Sequence, residues 1–226
     1  MIIYQGPSQL DLKPIVVIAT GYDSKSQNIK TASLVQTWIM RSDVEPHLAV
    51  KTGQDSSVCG DCPHRHINPD GSCYVVPFQA PLSSYRKFKR GGHKLATEDD
   101  YGLLRSLKVR AGSYGDPSAV PLWVWAKIGV FTGYSRQWRS HVDQAHFLMA
   151  SVISVTEKNE ANKLGFRTFR VSKPGASIEQ DEIICPSVSG ITCEECGLCA
   201  GSQIGGKNIV IPIHGKKAKR GLHVVQ

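Results

Sequence analysis

Seven cysteines in two tight groups constrain this chain more than any other feature of its sequence. The first group has three members and the second has four: Cys59, Cys62 and Cys73, then Cys185, Cys193, Cys196 and Cys199. Thiolates separated by two residues can turn toward one centre in a tight loop, which is the geometry that zinc and iron-sulfur clusters require. The spacing therefore predicts a metalloprotein with two cysteine-rich metal loops.

The expected cellular compartment favours metal ligands over disulfides. Residues 1–5 carry neither a cationic stretch nor a long apolar stretch, and no apolar run is long enough to span a bilayer. We therefore expect a cytoplasmic protein with no membrane partner. Clustered cysteines in a reducing compartment are more often metal ligands than disulfides, and an odd number of cysteines cannot pair completely.

The charge of the chain points to a polyanionic partner. The formal net charge is +8 and the sequence pI is about 9.2, although cluster thiolates would subtract several charges. Basic side chains gather in residues 86–90 and 216–220, which could follow a phosphate backbone. A solvated helix end and a loose tail explain the same two blocks equally well. The sequence thus predicts a nucleic acid or a nucleotide as partner.

The pattern of apolar residues predicts an α/β fold. Residues 14–19 and 34–40 are predicted as an N-terminal β-hairpin, and helices are predicted to begin at Pro81 and after Thr97. Beyond them, predicted strands alternate with predicted helices. The strands cover residues 107–111, 130–134, 147–152, 166–171 and 208–213, and the helices cover 117–128, 136–146 and 156–165.

Strands that recur about every twenty residues with helices between them are typical of βαβ units on a parallel sheet. Five such strands predict a partial or complete βα barrel. We expect one domain over residues 1–226, with a hairpin region (1–50), a first cysteine loop (51–80), βα units (81–184), a second cysteine loop (185–206), and a last strand with a basic tail (207–226).

The second cysteine group favours an iron-sulfur cluster. Three cysteines at successive x2 spacings wrap one corner of a 4Fe-4S cube, and Cys185, which precedes Pro186, is the natural fourth ligand. The same four thiolates could hold Zn²⁺, because spacing alone does not fix the metal.

The first group supplies only three thiolates. A closed tetrahedral site would need His64 or His66 as fourth ligand. Without a fourth ligand, a 4Fe-4S cluster on Cys59, Cys62 and Cys73 keeps one iron open, and an open position lets a metal bind a substrate. The first group would then be catalytic and the second auxiliary.

Polar residues at the carboxyl ends of predicted strands are candidates for the chemistry, because loops at that edge build the working face of such sheets. Tyr114 and Tyr134 could donate a proton, stack on a base or act as nucleophiles, and Gln137 could contact the substrate. Asp116 is a further candidate, although an N-cap before Pro117 accounts for it.

Arg167 and Arg170 flank the centre of a predicted strand. Either guanidinium could bind the phosphate or carboxylate of a cofactor or substrate, since its fork suits both groups. Solvent exposure is the alternative for these side chains.

Several of these segments together resemble a known family. Residues 35–39, 59–65, 112–117, 165–171 and 185–199 are similar to an uncharacterised family of cysteine-rich proteins encoded by phages and plasmids. The resemblance runs nearly end to end and implies a mobile-element protein, without implying a reaction. The chain is distantly similar to phage proteins of the gene-product-eighty-eight type and, more remotely, to radical S-adenosylmethionine barrels with an auxiliary cluster. It lacks the Cys-x3-Cys-x2-Cys of those barrels, which weighs against adenosylmethionine chemistry.

The leading hypothesis is therefore an iron-sulfur enzyme on a βα barrel. The rival is a zinc-stabilised module that holds DNA during phage or plasmid replication and catalyses nothing. A structural or inhibitory partner of a host protein is a third interpretation.

Overall fold

Two five-stranded sheets meet at Gly133, and the helices and loops of the described chain connect their strands. The computed structural model describes residues 1–23, 31–173 and 175–213. Its strands are β1 (Ile2–Pro7), β2 (Pro14–Thr20), β3 (Val35–Arg41), β4 (Val109–Tyr114), β5 (Val130–Thr132), β6 (Tyr134–Ser135), β7 (Met149–Val152), β8 (Thr168–Ser172), β9 (Glu182–Ile184) and β10 (Asn208–Pro212). Its α-helices are α1 (Pro46–Thr52), α2 (Ser56–Cys59), α3 (Ala80–Lys89), α4 (Glu98–Ser106), α5 (Leu122–Ile128), α6 (Val155–Lys163) and α7 (Cys193–Cys196).

The sheets form one curled surface. The strand orders are β1-β2-β3-β4-β5 and β6-β7-β8-β10-β9, and only Gly133 separates the end of β5 from the start of β6. A Cβ atom on Gly133 would lie 2.6 Å from Leu148 Cδ2, so this crossing favours glycine. The result is a half-barrel, which confirms the α/β class and, of the two predicted barrel forms, the partial one.

Strand direction changes along the sheet. The pairs β1-β2 and β2-β3 are antiparallel, whereas every later pair among the described strands is parallel. Ile15 to Ala19 of β2 are fully buried, as expected for a strand covered on both faces. The predicted N-terminal hairpin is confirmed as β2 and β3, and β1 adds a third strand that the sequence pattern did not predict.

Two helix predictions need correction. The predicted helix over residues 136–146 is wrong, because the structure has only a short 3-10 turn there, at Val142–Gln144. Trp138 occupies the core instead, fully buried and donating from Nε1 to Ser151 O, so tertiary packing outweighs helical propensity. The predicted helix over residues 117–128 is broken into a 3-10 turn at Pro117–Ala119 and α5, because Pro121 cannot donate a backbone N–H.

The helices pack on the outer face of the half-barrel. Leu104 of α4 and Trp125 of α5 belong to the large core cluster built on β1 to β5. Ala161 of α6 packs with Ala150 and Val152 of β7 in a second cluster. Met149 and Ser151 alternate with Ala150 and Val152 and therefore face the opposite, inner side. The inner side is where the cysteine loops and their cavities lie.

No described helix is both long and apolar enough to cross a bilayer. The longest of them, α3, covers only Ala80–Lys89.

A capping box at the start of α4 makes stability depend on pH. Asp100 Oδ2 accepts from Thr97 N at 3.0 Å, and Lys94 Nζ donates to Asp100 Oδ1 at 2.7 Å. The hydrogen bond from Lys94 and those from Thr97 lower the pKa of Asp100 from 3.8 to about 2. Because the folded pKa is depressed, the stabilisation is complete above the unfolded value and is lost as pH falls through about 2.

We therefore expect Asp100→Asn to destabilise the protein at pH 7 and to have a smaller effect near pH 2. Urea unfolding of both proteins at several pH values measures the difference. A constant difference across that range would contradict the assignment. Asp99→Asn, one residue earlier on the exposed side of α4, is the matched control.

Candidate metal centres and the cavity between them

The first cysteine group lies on a tight loop that begins at the end of α2. Cys59 is the last residue of that helix, and the Cys62 amide donates to Cys59 O at 3.3 Å. The chain returns beside this turn, where the Cys73 amide donates to His64 O at 2.9 Å. Backbone hydrogen bonds thus bring all three cysteines to the wall of one cavity.

Arg65 holds this loop in shape. Its guanidinium pairs with the Asp55 carboxylate and donates to Gly53 O at 2.7 Å and to Gly60 O at 3.1 Å. Gly60 has a φ of 57°, and a Cβ atom there would lie 2.2 Å from Gln137 Nε2. Because the positive φ favours glycine, the turn between Cys59 and Cys62 is closely specified.

The second cysteine group surrounds α7. Cys185 follows β9 and is buried, with its amide donating to Val210 O at 2.8 Å. Cys193 and Cys196 lie three residues apart on α7 and therefore share a helix face. All four cysteines of the second group, including Cys199, line a small cavity of about 50 Å³, here called the cysteine cavity.

Arg167 binds the backbone of the second cysteine loop. Its guanidinium donates to Leu198 O at 2.8 Å, to Gly201 O at 3.1 Å and to Gly206 O at 3.2 Å. Across the loop, Gly133 N donates to Cys199 O at 2.9 Å. The second cysteine loop is thus fixed to the point where the two sheets meet.

Burial favours the protonated thiol at four of the seven cysteines. It raises the pKa of Cys62 and of Cys199 to about 12, and it raises the pKa of Cys59 and Cys73 as well. For Cys199, the charges of Cys185 and Cys193 add to the effect of burial. Metal binding at either group would therefore release protons.

The thiols are suitable metal ligands in kind, but they do not converge on a common point. None of the disulfides that seven cysteines could form is present, and each group lines a single cavity. Within the described residues, no three His, Cys, Asp or Glu side chains are placed so that they could hold a metal ion as they stand. Ligation would require the thiols of a group to move toward each other.

A larger cavity, here called the central cavity, opens inside the half-barrel beside the first cysteine group and has a volume of about 480 Å³. Its lining includes Gln36, Trp38, Cys59, Cys62, His64, Cys73, Arg110, Tyr114, Asp116, Tyr134, Arg136 and Phe169. Two buried polar atoms in this lining, Tyr114 Oη and His64 Nε2, have no hydrogen-bond partner among the described residues. The other nitrogen of His64 is paired, since Nδ1 lies 2.7 Å from Ser72 Oγ. Unsatisfied buried groups are costly, so a ligand in the cavity that reached either atom would be stabilised.

Three side chains, here called the partition, line both cavities: Arg110, Tyr134 and Phe169. The rings of Tyr134 and Phe169 are stacked, with centroids 4.7 Å apart and an interplanar angle of 8°. Arg110 Nη2 donates to Tyr134 Oη at 3.0 Å. Burial raises the pKa of Tyr134 against the opposing charge of Arg110, and cysteines of both groups add to the rise. The partition therefore separates two cysteine groups that both influence its phenol.

Three of the four predicted catalytic side chains line the central cavity, and Gln137 does not. Tyr114, Tyr134 and Asp116 line the central cavity, as does His64. The Asp116 carboxylate accepts from Ser118 N at 2.9 Å and from Arg136 N at 2.7 Å, so it caps the 3-10 turn as the alternative interpretation predicts. Burial raises its pKa against these hydrogen bonds.

Two other groups of predicted side chains serve the fold. Gln137 is outside the cavity lining and donates to Asp61 Oδ1 at 2.7 Å. Arg167 binds backbone carbonyls, and the Arg170 guanidinium binds the carboxylate of Glu182, with both side chains buried. In this arrangement, the carboxylate that Arg170 meets belongs to the chain itself.

The prediction from sequence missed several side chains of the central cavity, among them Gln36, Trp38 and Arg110. Gln36 pairs with Arg110, and Trp38 pairs with Tyr114, in the parallel register of β3 and β4. Alternate residues of a strand lie on the same face, and Arg110 and Tyr114 are four residues apart on β4. The pairing of β4 with β3 shifts in register between these two residues. The register of β4 against β3 decides which of these side chains meet, and residue spacing alone does not reveal that register.

A scan against protein-family models finds no matching family, and searches of curated proteins and of solved structures find no match.

Proposed function

We propose that this chain is a mobile-element metalloprotein, an iron-sulfur enzyme that acts on a nucleic acid or a nucleotide. The observation that carries the proposal is the lining of the central cavity. Three thiols of one group line a cavity of about 480 Å³ together with two residues whose buried polar atoms have no partner among the described residues. Cavities of this size are typical of small-molecule sites. The mobile-element origin rests on the resemblance of the cysteine loops and strand ends to the phage and plasmid family.

Two cysteine groups would hold two clusters. Cys59, Cys62 and Cys73 would hold the first, and the four cysteines of the cysteine cavity would hold the second as a closed centre. A cluster with three thiolate ligands supplies an iron with an open position, which can bind or polarise a substrate atom. His64, which lines the same cavity, is a candidate for the fourth ligand in a closed alternative of the first centre.

The protein's own side chains would orient the substrate. Burial raises the pKa of Tyr114 well above its ordinary value, and the charge of Cys59 contributes in the same direction. Its hydroxyl thus stays protonated and can donate a hydrogen bond or a proton. Arg110 contributes positive charge at the partition, where it lines the central cavity.

We expect protein purified without oxygen to be brown and to contain iron and acid-labile sulfide. Elemental analysis, sulfide determination and the visible absorption spectrum measure this directly. Colourless protein that carries zinc and no sulfide would refute the iron-sulfur assignment.

A zinc-stabilised DNA-binding module is the alternative, and one observation favours it. Residues 86–90 end α3 with four exposed basic side chains, of which Arg86 lies 3.4 Å from Glu45. The second predicted basic block, residues 216–220, lies outside the described residues. DNA binding that weakens steeply with salt and survives Tyr114→Phe and Tyr134→Phe would support the module. DNA binding that either phenylalanine variant abolishes would support the enzyme.

A further inference from the structure

We infer that the central cavity binds one nucleotide unit and that Tyr114 donates a hydrogen bond to it. This inference deepens the proposed function and rests on it, because it assigns the substrate class of the same cavity. It depends on the size of the cavity, on two unsatisfied polar atoms, and on an aromatic and cationic wall.

The size of the cavity limits what can enter. A volume of about 480 Å³ accommodates a mononucleotide but not a base pair within a duplex. A nucleotide of a polymer could enter only if it were unpaired or turned out of its stack. The ligand is therefore a single nucleotide unit, either free or extruded from a strand.

The unsatisfied atoms point to a ligand with a hydrogen-bonding edge. Tyr114 is only 3% exposed, lies at the end of β4, and has no partner for its hydroxyl among the described residues. His64 Nε2 comes from a different segment, the first cysteine loop, and lines the same cavity. Hydroxyl and imidazole groups pair with the carbonyl, amino and ring nitrogen atoms of a base.

The remaining wall suits the other two parts of a nucleotide. Trp38, Tyr134 and Phe169 present aromatic side chains to the cavity, and base stacking on aromatic rings tolerates any base. Arg110 forms no ion pair with a carboxylate among the described residues, so its charge is available to a phosphate.

Calorimetric titration of the protein as purified, with the four common nucleoside 5′-monophosphates, tests the inference. We expect at least one to bind, and we expect Tyr114→Phe to weaken that binding by about tenfold, the usual value of one hydrogen bond. The same variant should unfold at an unchanged or higher temperature, because it removes a buried hydroxyl that has no partner.

Tyr101→Phe is the matched control. Tyr101 is also buried, but its hydroxyl donates to Ile3 O at 2.8 Å. We expect this variant to lower the unfolding temperature and to leave nucleotide affinity unchanged. Equal affinity of the wild type and Tyr114→Phe, or a loss of stability in Tyr114→Phe like that of the control, would overturn the role of Tyr114.

Three further probes separate the parts and sources of the ligand. Ribose 5-phosphate, which lacks a base, should bind at least tenfold more weakly than the best nucleotide, whereas equal binding would overturn recognition of the base. A short single-stranded oligonucleotide that competes with the mononucleotide would identify a strand as a source of the unit. A duplex that binds more tightly than either, and equally well to Tyr114→Phe, would overturn the inference in favour of a surface site.

Failure of this inference can be distinguished from failure of the proposed metal centres. Iron and sulfide are measured on the same samples before titration. Protein that contains both but binds no nucleotide refutes only the nucleotide site. Protein that binds nucleotide through Tyr114 but contains neither refutes only the iron-sulfur assignment.

Discussion

Replacing Arg170 with alanine should destabilise the protein by about 3–5 kcal/mol, the usual cost of removing one partner from a buried ion pair. Arg170 Nε and Nη2 donate to the two carboxylate oxygens of Glu182 at 2.7 and 2.5 Å. The two side chains are 4% and 0% exposed. Burial alone would raise the pKa of Glu182, but Arg170 and the Glu179 amide outweigh it and the net pKa is lowered. The variant would leave this carboxylate buried without its counter-charge.

Urea unfolding at neutral pH measures the loss, and two further variants make it specific. Arg139→Ala removes ion pairs with Glu160 and Glu157 and a contact with the Trp138 ring, but from a side chain that is 42% exposed, and should cost about 1 kcal/mol or less. The double variant Arg170→Met with Glu182→Leu should recover most of the lost stability, because neither charge remains. A single-variant loss no larger than that of Arg139→Ala would contradict a buried pair.

The Arg170 pair also connects the fold to the second cysteine group. Arg170 lies on β8, and β10 separates it from β9, where Glu182 begins the strand that leads to Cys185. The pair thus fixes an edge strand of only three residues. We expect the iron content of Arg170→Ala to fall along with its stability.

The sequence predicts most of the parallel sheet because its strands are continuous apolar runs. Val130, Met149 and Ile209 all lie in strands that the pattern places within a few residues. The pattern fails where long-range contacts decide the structure. Residues 136–146 have helical periodicity, yet Trp138 enters the core, and its indole binds Ser151 O on β7. Single-residue patterns carry no information about such a contact.

For the candidate site too, the sequence predicts local features but not those that depend on long-range contacts. Cysteine spacing predicts which thiols belong together, and each group lines one cavity in the structure. Side-chain roles that depend on the neighbouring strand could not be predicted. Arg170 resembles a ligand-binding residue in the sequence because Glu182, its partner, lies two strands away in the sheet. Arg110 received no role because its position depends on the register of β4 against β3.

Whether the two cysteine groups form one centre or two depends on the partition. The stacked rings of Tyr134 and Phe169 and the Arg110 guanidinium line both cavities. Their side chains would have to leave this arrangement for the thiols of both groups to meet at one metal. Losing a 4.7 Å aromatic stack and the hydrogen bond from Arg110 to Tyr134 would both oppose such a movement. We therefore expect two centres.

Cysteine-to-serine variants test this expectation, and their effect on metal content should be nearly complete for the group that is changed. The variant Cys59→Ser with Cys62→Ser removes two of three thiols from the first group, and Cys193→Ser with Cys196→Ser removes two of four from the second. Serine keeps the size of the side chain but is a poor ligand for iron. We expect each double variant to keep about half the iron of the wild type, as two independent four-iron clusters require.

Electron paramagnetic resonance of the reduced double variants should then show one cluster signal each, and the two signals should differ. The difference is expected because the first group faces the large central cavity, whereas the second lines the small cysteine cavity on a loop held by Arg167. Circular dichroism controls for folding. If either double variant stays folded but loses all of its iron, the cysteines serve a single shared centre. If neither double variant loses iron, the cysteines are not its ligands.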